Sequence, residues 1–248
     1  MITHELTHGN DDMNYDFSIN PDLEMDILYI GHEQEPVIIV DNLLKMPEAV
    51  IDYAEAGCQF QRDVKDFYPG IRKPLAPVYA ENVYQHLMDT LWTVFSSKST
   101  VNIKLLSSVL SLATTAPEQL RPIQSVPHFD SYQPNMIAGV HYFCSPEHGG
   151  TSFYRHKKTG FETINAQRIQ AYAPTLKEEV VNSSTGKFNY INGDTDIFER
   201  IACIDAKFNR AIFYRSNILH SGNISIDGER ALFPRTGRLT ANTLITIN

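Results

Sequence analysis

Met136-Ile-Ala-Gly-Val-His-Tyr-Phe-Cys144, Glu147-His-Gly-Gly150 and Thr151-Ser-Phe-Tyr-Arg155 form a short apolar run, a glycine turn and a second short run. Each run is too short for a typical helix and carries β-branched and aromatic residues, so the stretch reads as two strands joined by a turn. The pattern extends outward from it. Residues 123–130, 136–144, 151–155, 161–165, 198–204, 210–216 and 238–247 all read as short strands, with Ser221-Gly222 and Asp227-Gly228 as further turns.

The upstream half has a different grain. Pro36-Val-Ile-Ile-Val-Asp-Asn-Leu-Leu44 is a β-branched run ending in an Asp-Asn turn. Lys45 to Ala56 reads as a helix with Pro47 in its first turn and Gly57 as its stop. Glu81 to about Ser97 places Val83, Leu87, Leu91, Val94 and Phe95 at helical spacing, and residues 101–114 read as a strand. Residues 57–80, with Tyr68-Pro-Gly-Ile-Arg72 and two further prolines, read as a loop. Residues 166–197 are mixed and polar, an insertion with helical character near 176–182. Residues 1–25 lack periodicity and form a flexible arm, leaving 26–248 as a single domain. Helices followed by many short strands make an α+β arrangement: a β-sandwich or jelly roll with helices packed on one outer face.

Composition narrows the class. The 248 residues are 42% hydrophobic and 20% charged, as in a soluble globular protein. A net charge of −8 argues against a general nucleic-acid binder. No apolar run approaches membrane-spanning length and no secretory signal is visible. Cys58, Cys144 and Cys203 lie far apart, which fits free thiols in a reducing cytoplasm.

Two motifs carry chemistry. In Pro127-His128-Phe129-Asp130 the His and Asp are two apart, so on a strand they face one side while Phe129 faces the other. Ile218-Leu219-His220-Ser221-Gly222 follows the apolar strand Ala211-Ile-Phe-Tyr214 and offers a second imidazole from another strand. Two imidazoles and a carboxylate on one face of an octahedron leave three positions open, as non-haem Fe(II) chemistry needs. A 2-oxo acid can fill two and O2 the third. A closed zinc site would need four protein ligands. HxD alone is a weak signal; its order ahead of the strands and the LHSG segment gives it weight.

Gly237-Arg238-Leu239-Thr240 opens the last apolar strand, with Arg238 and Thr240 on one side. A buried arginine needs an anion, and its planar fork fits a carboxylate such as the distal one of 2-oxoglutarate, with Thr240 adding a bond. Arg230 and Arg235 are rivals for this role. Tyr142 is a further candidate for the cosubstrate carboxylate. Asn217 is a candidate for orienting His220 or contacting the oxo acid. Arg72 either meets an anionic substrate or is a solvated loop arginine. Phe188 and Tyr190 in the insertion either border the mouth or pack.

These segments resemble the 2-oxoglutarate/Fe(II)-dependent dioxygenase superfamily, in its prolyl-hydroxylase-like branch. The matching pieces run in family order: residues 37–48, Pro127–Asp130, Met136–Phe153 with its Gly-Gly turn, Phe213–Gly222, and Gly237–Thr240. The resemblance implies a double-stranded β-helix of cupin-like, jelly-roll form. It implies iron held by His128, Asp130 and His220, and 2-oxoglutarate decarboxylated to succinate while a small-molecule or peptide substrate is hydroxylated by O2. Halogenation is disfavoured, because Asp130 fills the place a halide would take. The alternatives are a non-catalytic cupin-like binding protein and a Zn- or Mn-dependent cupin-type hydrolase or isomerase.

Overall fold

The computed structural model describes residues 15–62, 67–96, 102–183, 188–226 and 228–247. Its strands are β1 Glu24–Ile30, β2 Glu35–Asp41, β3 Gly70–Pro74, β4 Ile103–Ala113, β5 Met136–Tyr142, β6 Thr151–His156, β7 Phe198–Ile204, β8 Arg210–Arg215, β9 His220–Gly222 and β10 Leu239–Ile247. The helices are α1 Glu48–Glu55, α2 Pro77–Phe95 and α3 Ile169–Ser183. A seven-stranded sheet runs β1-β2-β8-β5-β10-β4-β3 and a three-stranded sheet runs β7-β6-β9. All these pairings are antiparallel.

Strand alternation builds the core twice over. Ile38, Val40, Leu110, Leu112, Ile137, Phe213, Leu239, Ala241 and Ile245 pack against α1 and α2 on one face of the large sheet. Their neighbours Val37, Ala138, Val140, Tyr142, Ile212 and Tyr214 pack against Phe153 and Ile204 of the small sheet. Both faces of the central strands are covered, which is why they read as continuous apolar runs. Glycine makes room for neighbouring side chains: a Cβ at Gly139 would lie 2.5 Å from Thr243 Oγ1, 2.9 Å from Phe213 and 3.0 Å from the Tyr84 phenol of α2.

From β4 onward the chain alternates between the sheets. It passes through the single His128↔His220 bridge on the edge of the small sheet, then β5 in the large, β6 and β7 in the small, β8 in the large, β9 in the small and β10 in the large. The expected strands at 123–130 and 161–165 are replaced by single bridges, His128↔His220 and Thr163↔Ile218. Residues Pro122–Ser125 instead form a 3-10 turn; Pro122 and Pro127 cannot donate to a ladder.

Three further expectations are corrected. The 57–80 loop contains β3, and α2 begins inside it at Pro77, where proline suits the first helical turn. The arm is not loose throughout: Phe17 is buried in the helix-side core, with Tyr15, Ile19 and Leu23 packed beside it, and β1 starts at Glu24. Residues 1–14 lie outside the described residues. The helices do not share one face. α1 and α2 do, but α3 places Tyr172, Ile169 and Leu176 against Tyr154, Phe198 and Leu219 on the outer side of the small sheet. No described helix is long and apolar enough to cross a membrane.

Lys73 of β3 closes the C-terminal end of α1, whose last turn has no basic residue of its own. Its ammonium donates to the carbonyls of Tyr53, at 2.7 Å, and Ala56, and only 3% of the residue is exposed. A cation there answers the helix dipole and the orphan carbonyls together. Lys73→Met keeps the aliphatic stem and removes the donors. It should destabilise the fold by about 2 kcal/mol, seen as a fall in Tm of roughly 4–8 °C for a chain this size. An unchanged Tm would show that water serves those carbonyls equally well.

Candidate metal centre

His128 and His220 are directly opposed across an antiparallel bridge. Each backbone N–H donates to the other's carbonyl, at 2.9 and 2.8 Å. Opposed residues project side chains to one face, and the two rings lie 4.3 Å apart between centroids. Asp130 follows two residues after His128, and its N–H is fixed by the Ser216 carbonyl at 2.7 Å. The carboxylate lies 3.7 Å from Nε2 of each histidine, one oxygen toward each. One ligand atom from each of the three residues falls within 4.8 Å of the others. Phe129 turns the other way, against Tyr132 and Tyr172.

The imidazoles are set up for ligation. His220 Nδ1 lies 2.9 Å from the Ile218 carbonyl, which has no proton to give, so Nδ1 carries a hydrogen and Nε2 is the nitrogen turned toward Asp130. Tyr214 packs edge-on to the His220 ring at 4.8 Å. Half of the His128 side chain is exposed, at 53%. Even so, desolvation of its ring, with the charge of His220, holds its pKa down at about 4 against the pull of Asp130. It is therefore neutral at physiological pH, the form that binds metals. Two imidazole nitrogens and one carboxylate oxygen fit Fe(II) and leave positions for other ligands.

Arg238 lies where its strand position predicts, inside the sandwich and 4% exposed. Nε and Nη2 donate to the carbonyls of Gly149 and Gly150, both at 3.0 Å, and its guanidinium sits 5.8 Å above the Tyr142 ring. No described carboxylate pairs with it. The Gly-Gly turn is demanded by space: Gly149 has φ +81°, and a Cβ there would lie 1.5 Å from the Asn223 carbonyl oxygen. A Cβ at Gly150 would lie 1.9 Å from the Ile204 carbonyl oxygen. The rival arginines are elsewhere. Arg235 pairs with Asp52 and Glu55 at the surface, and Arg230 is exposed on a 3-10 turn.

Two assignments need correction. Thr240 faces inward as expected, but its hydroxyl is already committed: it donates to Asn242 Oδ1 at 2.7 Å and also bonds the Tyr68 phenol. Asn242, two residues on, shares its face and captures the donor. Asn217 makes no contact that fixes His220; the Ile218 carbonyl does so instead. Asn217 Oδ1 is buried without a partner, and its carbonyl accepts from Ile164. Tyr142 faces inward, bonds Thr151 Oγ1 at 2.6 Å, and is pushed up to about 12 by burial, against the charge of Arg238.

Tyr214, Tyr68 and Ser111 escape sequence reading as site residues, whereas Tyr190 is expected there either to border the mouth or to pack. Tyr214 is raised far above the usual phenol range by burial and by Asp130, with Arg238 acting in the opposite direction. It thus lies within electrostatic reach of both the triad and the arginine. Tyr68 is raised by burial and feels both Arg238 and Arg72. Tyr190 of the insertion donates to the Thr115 carbonyl at 2.7 Å and feels Tyr68 and Arg238, so it borders this end of the chamber. Ser111 is fully buried with an unpartnered hydroxyl, a cost of about 1–3 kcal/mol unless a ligand meets it.

A protein-family model described as a family of unknown function, DUF6445, matches residues 21–245. The chain belongs to the DUF6445 family. No curated protein matches this DUF6445 member. Among solved structures it is similar to HygX from Streptomyces hygroscopicus with nickel and 2-oxoglutarate bound. That likeness has TM-score 0.47 and 10% identity, over 86% of this chain and 84% of HygX. It is also similar to the non-heme alpha ketoglutarate dependent epimerase SnoN from nogalamycin biosynthesis. Here the TM-score is 0.46 and the identity 12%, over 87% of this chain and 79% of SnoN.

Proposed function

We propose that this DUF6445 protein is an Fe(II)- and 2-oxoglutarate-dependent oxygenase built on a double-stranded β-helix. The observation that carries the reading is the meeting of His128, Asp130 and His220 within 4.8 Å, with no fourth His, Cys, Asp or Glu in the group among the described residues. The alternation of strands between two sheets from β4 to β10 supports the jelly-roll reading. Buried Arg238, without a carboxylate of its own, supports a dicarboxylate cosubstrate.

Iron with 2-oxoglutarate and O2 supplies the oxidising power, releasing succinate and CO2 and hydroxylating a small-molecule or peptide substrate. The chain's own residues bind and orient. The Nε2 atoms of His128 and His220 and one oxygen of Asp130 hold the metal. Arg238, braced by two glycine carbonyls, receives the distal carboxylate. Tyr142 and Tyr214 stay protonated across the working range and line the space between. Three free thiols agree with a cytoplasmic setting.

The test is an anaerobic titration of apo-protein with Fe(II) and then 2-oxoglutarate, followed in the visible spectrum. A weak charge-transfer band appearing only with both ligands is the expected result. A folded, metal-loaded protein that gives no band would sink the oxygenase reading and favour a non-catalytic or a Zn- or Mn-dependent cupin.

A further inference from the structure

We infer that Glu33 and Arg168 are positioning residues for the metal centre: their ion pair, in the turn between β1 and β2, sets the orientation of His220 through Thr163 and Ile218. The inference rests on the oxygenase reading above and names a support of that site that touches neither metal nor substrate. The chain of contacts is continuous. The Ile218 carbonyl that accepts from His220 Nδ1 belongs to a residue bridged to Thr163. On either side of that bridge the Ile164 N–H donates to the Asn217 carbonyl and the Leu219 N–H to the Glu162 carbonyl, both at 2.8 Å. Residues 162–164 are thus a brace along the segment that carries His220. If the brace shifts, the Ile218 carbonyl shifts with it, and the imidazole loses the partner that aims Nε2.

The brace is held by the turn. The Thr163 hydroxyl donates to Glu33 Oε2 at 2.6 Å and the Glu162 N–H to Glu33 Oε1 at 3.1 Å. In return the N–H groups of His32 and Glu33 donate to the Glu162 carboxylate, both at 2.9 Å. Arg168 closes the cluster: its Nη1 lies 2.7 and 2.8 Å from the two Glu33 oxygens and 2.8 Å from the Thr163 hydroxyl. Burial opposes the charge of Glu33, but these donors hold its carboxyl below the usual carboxylate range. The pair is partly buried, so salt screens it less than an exposed one. The same pair reaches the other ligands. The Arg168 carbonyl accepts the Tyr172 N–H at 2.9 Å in the turn that opens α3, and the Tyr172 ring meets Phe129 edge-on at 6.4 Å. Phe129 stands between His128 and Asp130. One ion pair therefore backs both segments that carry the triad.

The probe is Co(II), whose visible bands report coordination geometry without cosubstrate or turnover. It is titrated into the full apo-chain well below Tm. Glu33→Gln and Arg168→Gln should each weaken Co(II) binding by about 10-fold, the lower end of what outer partners of a ligand contribute, and shift the bands. Arg168→Lys should bring the affinity back to within about 3-fold, because Nη1 alone makes these contacts and an ammonium can stand in its place. Asp41→Asn is the control. It breaks a comparable cluster, with Arg210 and Lys207, at the far end of β2. It should lower Tm and leave the Co(II) affinity and bands unchanged. Unaltered affinity and bands in both Gln variants, no recovery in Arg168→Lys, or equal weakening in Asp41→Asn would each overturn the inference. The oxygenase reading would survive those results, since the Fe(II)- and 2-oxoglutarate-dependent band of the unaltered protein decides it. An unaltered protein that binds no Co(II) would remove the metal centre, and with it both.

Discussion

His220→Ala abolishes the Fe(II)- and 2-oxoglutarate-dependent band and weakens metal binding by at least about 100-fold, since loss of even an outer partner of a ligand costs about 10–100-fold. Two remaining ligands, His128 and Asp130, lie on one segment and cannot define a coordination face. The change also carries a stability cost that its partner ligand does not share. The His220 side chain is 6% exposed, bonded to Ile218 and packed on Tyr214. Its removal leaves a gap in the small sheet and an unsatisfied carbonyl. The expected loss is about 1–3 kcal/mol, or roughly 2–12 °C in Tm. His128, with half its side chain exposed, should give the same loss of the band on truncation with a much smaller change in Tm. The two variants therefore separate ligation from packing. A His220→Ala protein that keeps the band would remove His220 from the metal shell.

What could be read from sequence followed from how local its cause was. The central strands were legible because alternation along Val37–Val40 and Ile212–Tyr214 buries both faces, giving runs that only a covered sheet explains. The grouping of the candidate metal triad was partly legible because His128 and Asp130 share a face by spacing alone, although the approach of His220 to them depended on a bridge. β3 was missed because Pro69 and Pro74 bracket it; a strand paired along β4 and on its outer side only at the Gln61↔Arg72 bridge tolerates them, and a loop carries the same composition. β1 was missed for a related reason. It is an edge strand exposed over Glu24–Tyr29 and shows no buried period. The cradle for Arg238 could not be seen at all as a binding feature, since it consists of backbone carbonyls at a turn brought up by tertiary packing. Thr240 was misread as a free donor because strand periodicity shows which residues share a face, but not that Asn242 would take the proton.

Arg238→Ala should weaken 2-oxoglutarate binding by about 100-fold or more while leaving Fe(II) affinity nearly unchanged. The magnitude follows from charge-assisted hydrogen bonds of about 1.5–3 kcal/mol each, lost from an enclosed site where water compensates poorly. Arg238 is 4% exposed and has two of its donors spent on Gly149 and Gly150, so only the rest of its fork, beside the Tyr142 ring, is left for a carboxylate. Arg238→Lys should recover little of the affinity. An ammonium supplies a point charge, but it cannot hold two glycine carbonyls and a bidentate carboxylate at once. The measurement is the 2-oxoglutarate dependence of the visible band at fixed Fe(II), with the metal affinity determined separately. Equal weakening of metal and cosubstrate would indicate collapse of the Gly149-Gly150 turn rather than loss of a clamp, since that turn packs against Asn223, three residues beyond His220. Unchanged 2-oxoglutarate affinity would show that the buried arginine serves the fold alone.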